Sequence, residues 1–357
     1  MLQLFASNRI EGHQMVSLRR RTAWSRSLQS VMRTMARTAL GVGTKALKKG
    51  LRTAPRAGKR VTRKKAMATS ANWTTGIAIG RAGPRRYRLY KPSGVRRDER
   101  LPLLVMLHGC GQDAEALAAS SRMNTIAARE RFFVLYSEQD RLSNVQGCWN
   151  WYDTRTGRAQ AEAHSISAAI EQVCLLYAVD RSRIALAGIS AGAGMAVLLA
   201  TQHPERFRAI AMHSGIAPGV AHSSASAIKA MFGQSAKTSP LPAIAPDVRL
   251  PALLVIHGAA DHVVAPGNGA EAAMRWGERV GAKASEPRRV QRGARYAAMI
   301  TEYRESGRLV ATLCAVDGLG HAWSGGSAGH SYSDPKGPDA SRMIWSFVAR
   351  QFARAAD

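Results

Sequence analysis

Cysteine is scarce: the chain of 357 residues has four, Cys110, Cys148, Cys174 and Cys314. They are too few and too scattered for a disulfide scaffold. No CxxC pair or Cys/His spacing of a zinc site occurs, so neither a metal nor any other cofactor is expected. Acidic residues are also few, 24 Asp and Glu against 51 Lys and Arg. Residues 1–65 hold 17 of the basic residues and a single acid, Glu11, so most of the net charge of +27 belongs to an N-terminal tail. Long apolar runs are missing too. No 18 consecutive apolar residues exist, which excludes a spanning helix, and the basic N-terminus lacks the apolar segment and cleavage site of a secretory leader. Arg19, Arg20 and Arg21 hint at twin-arginine export, but Arg26, Arg33 and Arg37 interrupt the apolar stretch that should follow. The expectation is therefore a cytoplasmic protein. The chain as a whole is 46% hydrophobic, too apolar for a disordered protein, and the body suits one large α/β domain.

The sequence divides into a tail, residues 1–70, and a domain, residues 71–357. In the tail Leu28, Val31, Met32 and Met35 recur at helical spacing among arginines, which predicts a basic amphipathic helix. Residues 45–65 are a Lys/Arg/Gly/Ala run around Pro55, read as a disordered tether; the alternative for the whole tail is a solubilising arm with no specific partner. From Trp73 onward strands and helices alternate. Strands are predicted at 85–90, 101–107, 132–136, 184–187, 209–213, 252–257, 299–303 and 309–316. Helices are predicted at 117–129, 162–177, 192–202, 269–280 and 340–352. This alternation specifies an α/β fold with a mostly parallel, doubly wound sheet. Between residues 215 and 250 there is room for one short helix, 226–232, and no large lid.

Gly188-Ile189-Ser190-Ala191-Gly192 matches GxSxG between an apolar strand and a helix. The bare pattern is weak, but strand, motif and helix in that order are the context in which a strained turn exposes a nucleophilic serine. A serine hydroxyl needs a base. His321, in a Gly-rich loop after the last strand, is the candidate. Asp261, after the strand 252–257, is the acid that would orient the imidazole; Asp317, four residues before His321 on the same loop, is the weaker alternative. For a tetrahedral oxyanion the N–H of Ala191 is one donor. A second is expected from the Gly-rich turn His108-Gly109-Cys110-Gly111 after strand 101–107, where Cys110 is nominated. Its thiol is not needed for that role, and no acid/base partner marks it as a nucleophile. It is either a packing thiol or bonded to Cys148.

These residues resemble the esterases of the poly(3-hydroxybutyrate) depolymerase type. The resemblance runs over residues 74–352 and is carried by Leu107-His108-Gly109-Cys110, Cys148-Trp149-Asn150-Trp151, the GxSxG segment, Asp261-His262-Val263-Val264 with Pro266 and Asn268, Gly320-His321-Ala322-Trp323-Ser324-Gly325-Gly326, and the segment Tyr332 to Ala340. It implies an α/β-hydrolase fold with the triad Ser190, Asp261 and His321, and hydrolysis of carboxylic esters through an acyl-enzyme. Poly(3-hydroxybutyrate), its oligomers and other short-chain esters are the implied substrates; because feruloyl and acetylxylan esterases also belong to the family, plant polysaccharide esters are the alternative. It also places Cys110 and Cys148 in loops beside the cleft, where a bond is possible though a reducing cytoplasm would oppose it. Trp149, Trp151 and Trp323 are expected to line the cleft. For the tail, the expected partner is an anionic membrane or polymer-granule surface. The non-enzymatic alternative is nucleic acid, held by phosphate contacts through residues 45–65.

Overall fold

The computed structural model describes residues 72–96, 98–216, 219–234 and 249–354. The amphipathic helix around Leu28 and the tether lie outside the described residues.

The chain opens with an antiparallel pair, β1 (Trp73–Gly80) and β2 (Gly83–Tyr90), followed by β3 (Leu101–Leu107), α1 (Ala114–Ser121), α2 (Met123–Glu130), β4 (Phe133–Ser137), α3 (Arg158–Leu176) and β5 (Val179–Ile189). Next come α4 (Ala191–Gln202), β6 (Ala209–His213), α5 (Ser224–Met231), β7 (Ala252–Gly258) and α6 (Gly267–Glu278). The short strands β8 (Lys283–Ala284) and β9 (Arg288–Val290) precede β10 (Ala298–Glu305) and β11 (Arg308–Val316). A two-stranded pair, β12 (Trp323–Ser324) with β13 (Ser333–Asp334), precedes α7 (Ala340–Ala353).

The main sheet has 11 strands in the order β1-β2-β4-β3-β5-β6-β7-β11-β10-β8, with β9 on β10. Strands β4, β3, β5, β6, β7 and β11 are mutually parallel; the remaining pairings are antiparallel. Every residue of β3, β6 and β7 is buried, as a sheet covered on both faces requires. Along β3, Leu103, Val105 and Leu107 join one core with α3, α4 and α6, while Leu104 and Met106 join the opposite core with α1, α2 and α7. The period-two alternation thus feeds two helical layers from one apolar strand.

The doubly wound, mostly parallel sheet expected from the sequence is present. The helix expected at 117–129 is two helices, because Arg122 adopts a left-handed conformation (φ 56°) that ends α1 and starts α2. Strand β1 was not anticipated. In the segment expected to lack a large lid, α5 is present, and residues 217–218 and 235–248 lie outside the described residues.

Candidate active site

Five neighbouring parallel strands, β3, β5, β6, β7 and β11, end at the same edge of the sheet. Each delivers a polar group there: the turn at Cys110, then Ser190, His213, Asp261 and His321 in the order of the strands.

Ser190 caps α4 directly after β5, with φ 56° and ψ −123°. A non-glycine residue held there costs on the order of 1–3 kcal/mol and persists only where its surroundings enforce it. The enforcement is visible. The Ser190 N–H donates to the His213 carbonyl at 2.9 Å, and the Ser190 carbonyl accepts from Ala193 at 3.0 Å. Crowding fixes the flanking residues as well: a Cβ on Gly188 would sit 2.3 Å from the Gly192 carbonyl oxygen, and one on Gly192 2.3 Å from that of Leu107.

The acid and histidine loops are fastened to each other through their backbones. Ala259 donates to the Val316 carbonyl at 2.8 Å and Ala260 to that of Leu319 at 3.0 Å. This registration brings His321 Nδ1 to 2.8 Å from Asp261 Oδ2. The other carboxylate oxygen, Oδ1, accepts from the backbone of Val263 and Val264, each at 2.9 Å. Burial alone would push the Asp261 carboxyl up. Hydrogen bonds from His257 and His321, the charge of His321 and the Val264 N–H outweigh it and hold the carboxyl well below the usual carboxylate range. With Nδ1–H committed to the carboxylate, Nε2 of His321 is the acceptor that a hydroxyl needs. Asp317, the alternative acid, is exposed, and Asp261 holds the imidazole.

Three further histidines shape the site. His213 is fully buried, stacks on Trp323, and accepts from the Ser324 N–H at 3.1 Å through Nε2, pinning the loop that follows His321. Burial, with repulsion from His257 and His321, lowers its pKa to about 3, so it stays neutral. His108 accepts from the Gln139 N–H at 3.0 Å, and burial lowers it to about 4. His257 donates from Nε2 to the Val264 carbonyl at 2.9 Å, and the same nitrogen lies 3.5 Å from Asp261 Oδ2. His213 and His257 end strands and read from the sequence as core or surface residues; their contacts with the acid and histidine loops were not anticipated. A His at a strand end is the faint signal that could have shown them.

The turn after β3 abuts the nucleophile: a Cβ on Gly109 would lie 3.4 Å from that of Ser190. In this turn the Gly109 N–H donates to Gln112 Oε1, the Gln112 N–H to the Gly109 carbonyl and the Gly111 N–H to that of Gln146. Among the described residues the N–H groups of Cys110 and Ala191 go to no such acceptor. Both are therefore available as donors to an incoming oxyanion. Cys110 and Cys148 form a disulfide with Cα atoms 4.3 Å apart.

The expectation for the tryptophans is corrected. Trp149 and Trp323 have no open face: each is wholly buried, Trp149 donating to the His108 carbonyl at 3.0 Å and Trp323 to Ser341 Oγ at 3.1 Å. Their indoles bury large apolar areas and satisfy the N–H inside. Trp151, 6% exposed, packs on α4 at Gly194.

The disulfide carries a direct prediction. Denatured, unreduced protein will show two reactive thiols, Cys174 and Cys314; four would exclude the bond. Closing a 38-residue separation contributes about 4 kcal/mol in the loop-entropy account. Urea unfolding with and without reductant measures that difference.

Comparison with known proteins places these features. The model of a family described as Esterase PHB depolymerase matches residues 85–289. Poly(3-hydroxyalkanoate) depolymerase C of Paucimonas lemoignei is 32% identical over 198 residues, covering 52% of this chain and 46% of that protein. The chain thus spans about half the length of that relative. Feruloyl esterase B of Neurospora crassa is 27% identical over 256 residues, covering 67% of this chain and 85% of that protein. Among solved structures, the acetyl xylan esterase from Aspergillus awamori superimposes with a TM-score of 0.62 at 18% identity, over 77% of this chain and 99% of that one. The fold is that of an α/β-hydrolase.

Proposed function

Because the chain belongs to the Esterase PHB depolymerase family, whose matched relatives are carboxylic ester hydrolases, we propose that this serine ester hydrolase acts on poly(3-hydroxybutyrate), its oligomers and related short-chain 3-hydroxyalkanoate esters. The observation that carries the chemistry is the 2.8 Å contact of His321 Nδ1 with the buried Asp261, beside a serine held at a strained strand-to-helix turn.

The reaction follows from the groups present. His321 Nε2 takes the Ser190 proton as Oγ attacks the ester carbonyl, and the N–H groups of Ala191 and Cys110 bind the developing oxyanion. Asp261 steadies the imidazolium without taking its proton. His321 then returns the proton to the departing alcohol oxygen, which breaks away and leaves an acyl-serine. Water, deprotonated by the same imidazole, attacks that acyl group, the acid is released and Ser190 recovers its proton.

Identity to a poly(3-hydroxyalkanoate) depolymerase supports the polyester reading; the feruloyl esterase relative supports esters of decorated polysaccharide as the second. Relative turnover of 3-hydroxybutyrate trimer, amorphous polymer, methyl ferulate and acetylated xylan is the test. The trimer and polymer should lead. Faster turnover of ferulate or acetylxylan would overturn the substrate assignment while leaving the ester chemistry intact.

In the same reading, residues 1–65 hold the enzyme to an anionic or polymer-granule surface, with their 17 basic residues as the supporting feature. A cytoplasmic location sits against the Cys110–Cys148 bond, because the cytosol keeps thiols reduced. The thiol count, made on protein drawn from its own compartment, settles which of the two gives way.

A further inference from the structure

A carboxylate and a guanidinium outside the triad, Glu162 of α3 and Arg85 of β2, are wholly buried. They meet across one amide. Arg85 donates to Gln139 Oε1, and Gln139 Nε2 donates to Glu162 Oε1 at 2.8 Å. Glu162 also accepts from the Asn150 N–H at 2.9 Å and from the Asn150 side-chain amide at 2.6 Å, so three donors converge on one carboxylate. Nε and Nη2 of Arg85 have no partner among the described residues. Burial pulls this guanidinium down, while the charges of Glu162 and Asp140 hold it up. An ion pair taken out of water returns little net stability, because desolvation offsets the attraction. What such a network supplies is fixed directions.

The directions lead to the oxyanion turn. Gln139 gives its backbone N–H to His108 Nε2 at 3.0 Å and a side-chain N–H to the Cys148 carbonyl at 2.9 Å. Arg85 lies over the Trp149 ring at 5.6 Å, and that indole donates to the His108 carbonyl at 3.0 Å. Because Nε2 of His108 accepts, the proton of its neutral imidazole sits on Nδ1, which donates to the Gly109 carbonyl at 2.9 Å. The Gln112 N–H reaches the same oxygen at 3.2 Å. The peptide between Gly109 and Cys110 is trans, and a trans peptide points its C=O and N–H in opposite directions. Two donors on the Gly109 oxygen therefore fix where the Cys110 N–H points.

We propose that Glu162 and Arg85, bridged by Gln139, are positioning residues for the oxyanion donor: they hold Gln139, Gln139 holds His108, and His108 holds the peptide plane that carries the Cys110 N–H. The proposal rests on the esterase reading above and deepens it, because the aim of a donor in the site becomes a property of a charge pair that never touches the ester. Both halves of the reaction pass through a tetrahedral oxyanion. A misdirected donor therefore slows acylation and deacylation together, and the loss falls on kcat while KM stays.

The test compares full-length wild type, Glu162→Gln, Gln139→Asn and the double variant on p-nitrophenyl butyrate, well below the lowest melting temperature. Two reversible inhibitors with one alkyl chain accompany the rates. A trifluoromethyl ketone is attacked by Ser190 Oγ at its carbonyl carbon, the serine proton passing to His321 and the carbonyl oxygen becoming an oxyanion; the matching trifluoromethyl carbinol can form none. Each single variant should lose roughly tenfold or more in kcat, with KM within twofold. Affinity for the ketone should fall by the same factor, and affinity for the carbinol should stay within twofold. The double variant should be no slower than the worse single one, because both substitutions break one chain of contacts. Arg85→Lys, which keeps the charge and loses the planar fork, should show the same pattern, and with Gln139→Asn it decides the matter if Glu162→Gln does not fold. A folded Glu162→Gln enzyme within tenfold of wild type overturns the proposal. So does equal weakening of ketone and carbinol, the mark of general damage to the site, and so do losses that multiply in the double variant. Wild type that cleaves the ester but binds the ketone no better than the carbinol sinks the oxyanion assignment itself, a separate result.

Discussion

A Ser190→Ala enzyme will release p-nitrophenol from short acyl esters at least about a thousandfold more slowly than wild type. The loss falls on kcat, because the hydroxyl is the atom that becomes acylated and no neighbouring group can replace it. Substrate binding and fold should be little changed. Removing one oxygen leaves the Ser190 backbone bonds to His213 and Ala193 in place, and alanine at φ 56° is strained as serine is. The variant should therefore melt within a few degrees of wild type and show no burst of p-nitrophenol. Turnover within tenfold of wild type would remove Ser190 from the mechanism.

Asp261→Asn is expected to cost roughly 10³–10⁴ in kcat, and the hydrogen-bond pattern says why. Oδ1 of Asp261 accepts two backbone N–H groups, from Val263 and Val264. An asparagine must keep its carbonyl oxygen on that side, which aims its NH₂ at His321 Nδ1. A donor facing Nδ1 forces the imidazole into the tautomer with the proton on Nε2, and that nitrogen can no longer accept from Ser190. Because both backbone N–H groups stay satisfied, the melting temperature should move far less than the rate. An Asp261→Asn enzyme within tenfold of wild type, together with a large loss in Asp317→Asn, would transfer the acid to Asp317.

Much of the catalytic edge is legible in the residues alone. A continuous apolar strand, a glycine on either side of a serine and a small-residue helix start describe β5, Ser190 and α4 because crowding at that turn admits little else. Ala209–His213 is a strand at the positions the apolar run predicts. Less legible is what tertiary packing decides. In β1, Gly76 stands where the ring of Tyr87 comes within 2.2 Å of a would-be Cβ. A partner on the neighbouring strand, not local propensity, put the glycine there and blurred the strand. The break at Arg122 is likewise invisible locally, since arginine is a good helix former and its left-handed backbone is set by how α1 and α2 pack. The tryptophans mislead for a different reason. A motif says an indole is near the site, but whether it faces substrate or core depends on where its N–H finds an acceptor. Trp149 finds the His108 carbonyl and Trp323 finds Ser341, both inside.

The order in which the catalytic edge is assembled has a consequence for timing. The oxyanion turn and Ser190 belong to strands β3 and β5, whereas His321 follows β11, which enters the sheet only by docking beside β7. Domains fold as units during synthesis, and this sheet is complete only when β11 is present. A chain that has the elbow segment but lacks β11 therefore holds a serine with no base and is expected to be inert toward esters. A polypeptide cut short before β11 carries the elbow serine without the histidine that activates it.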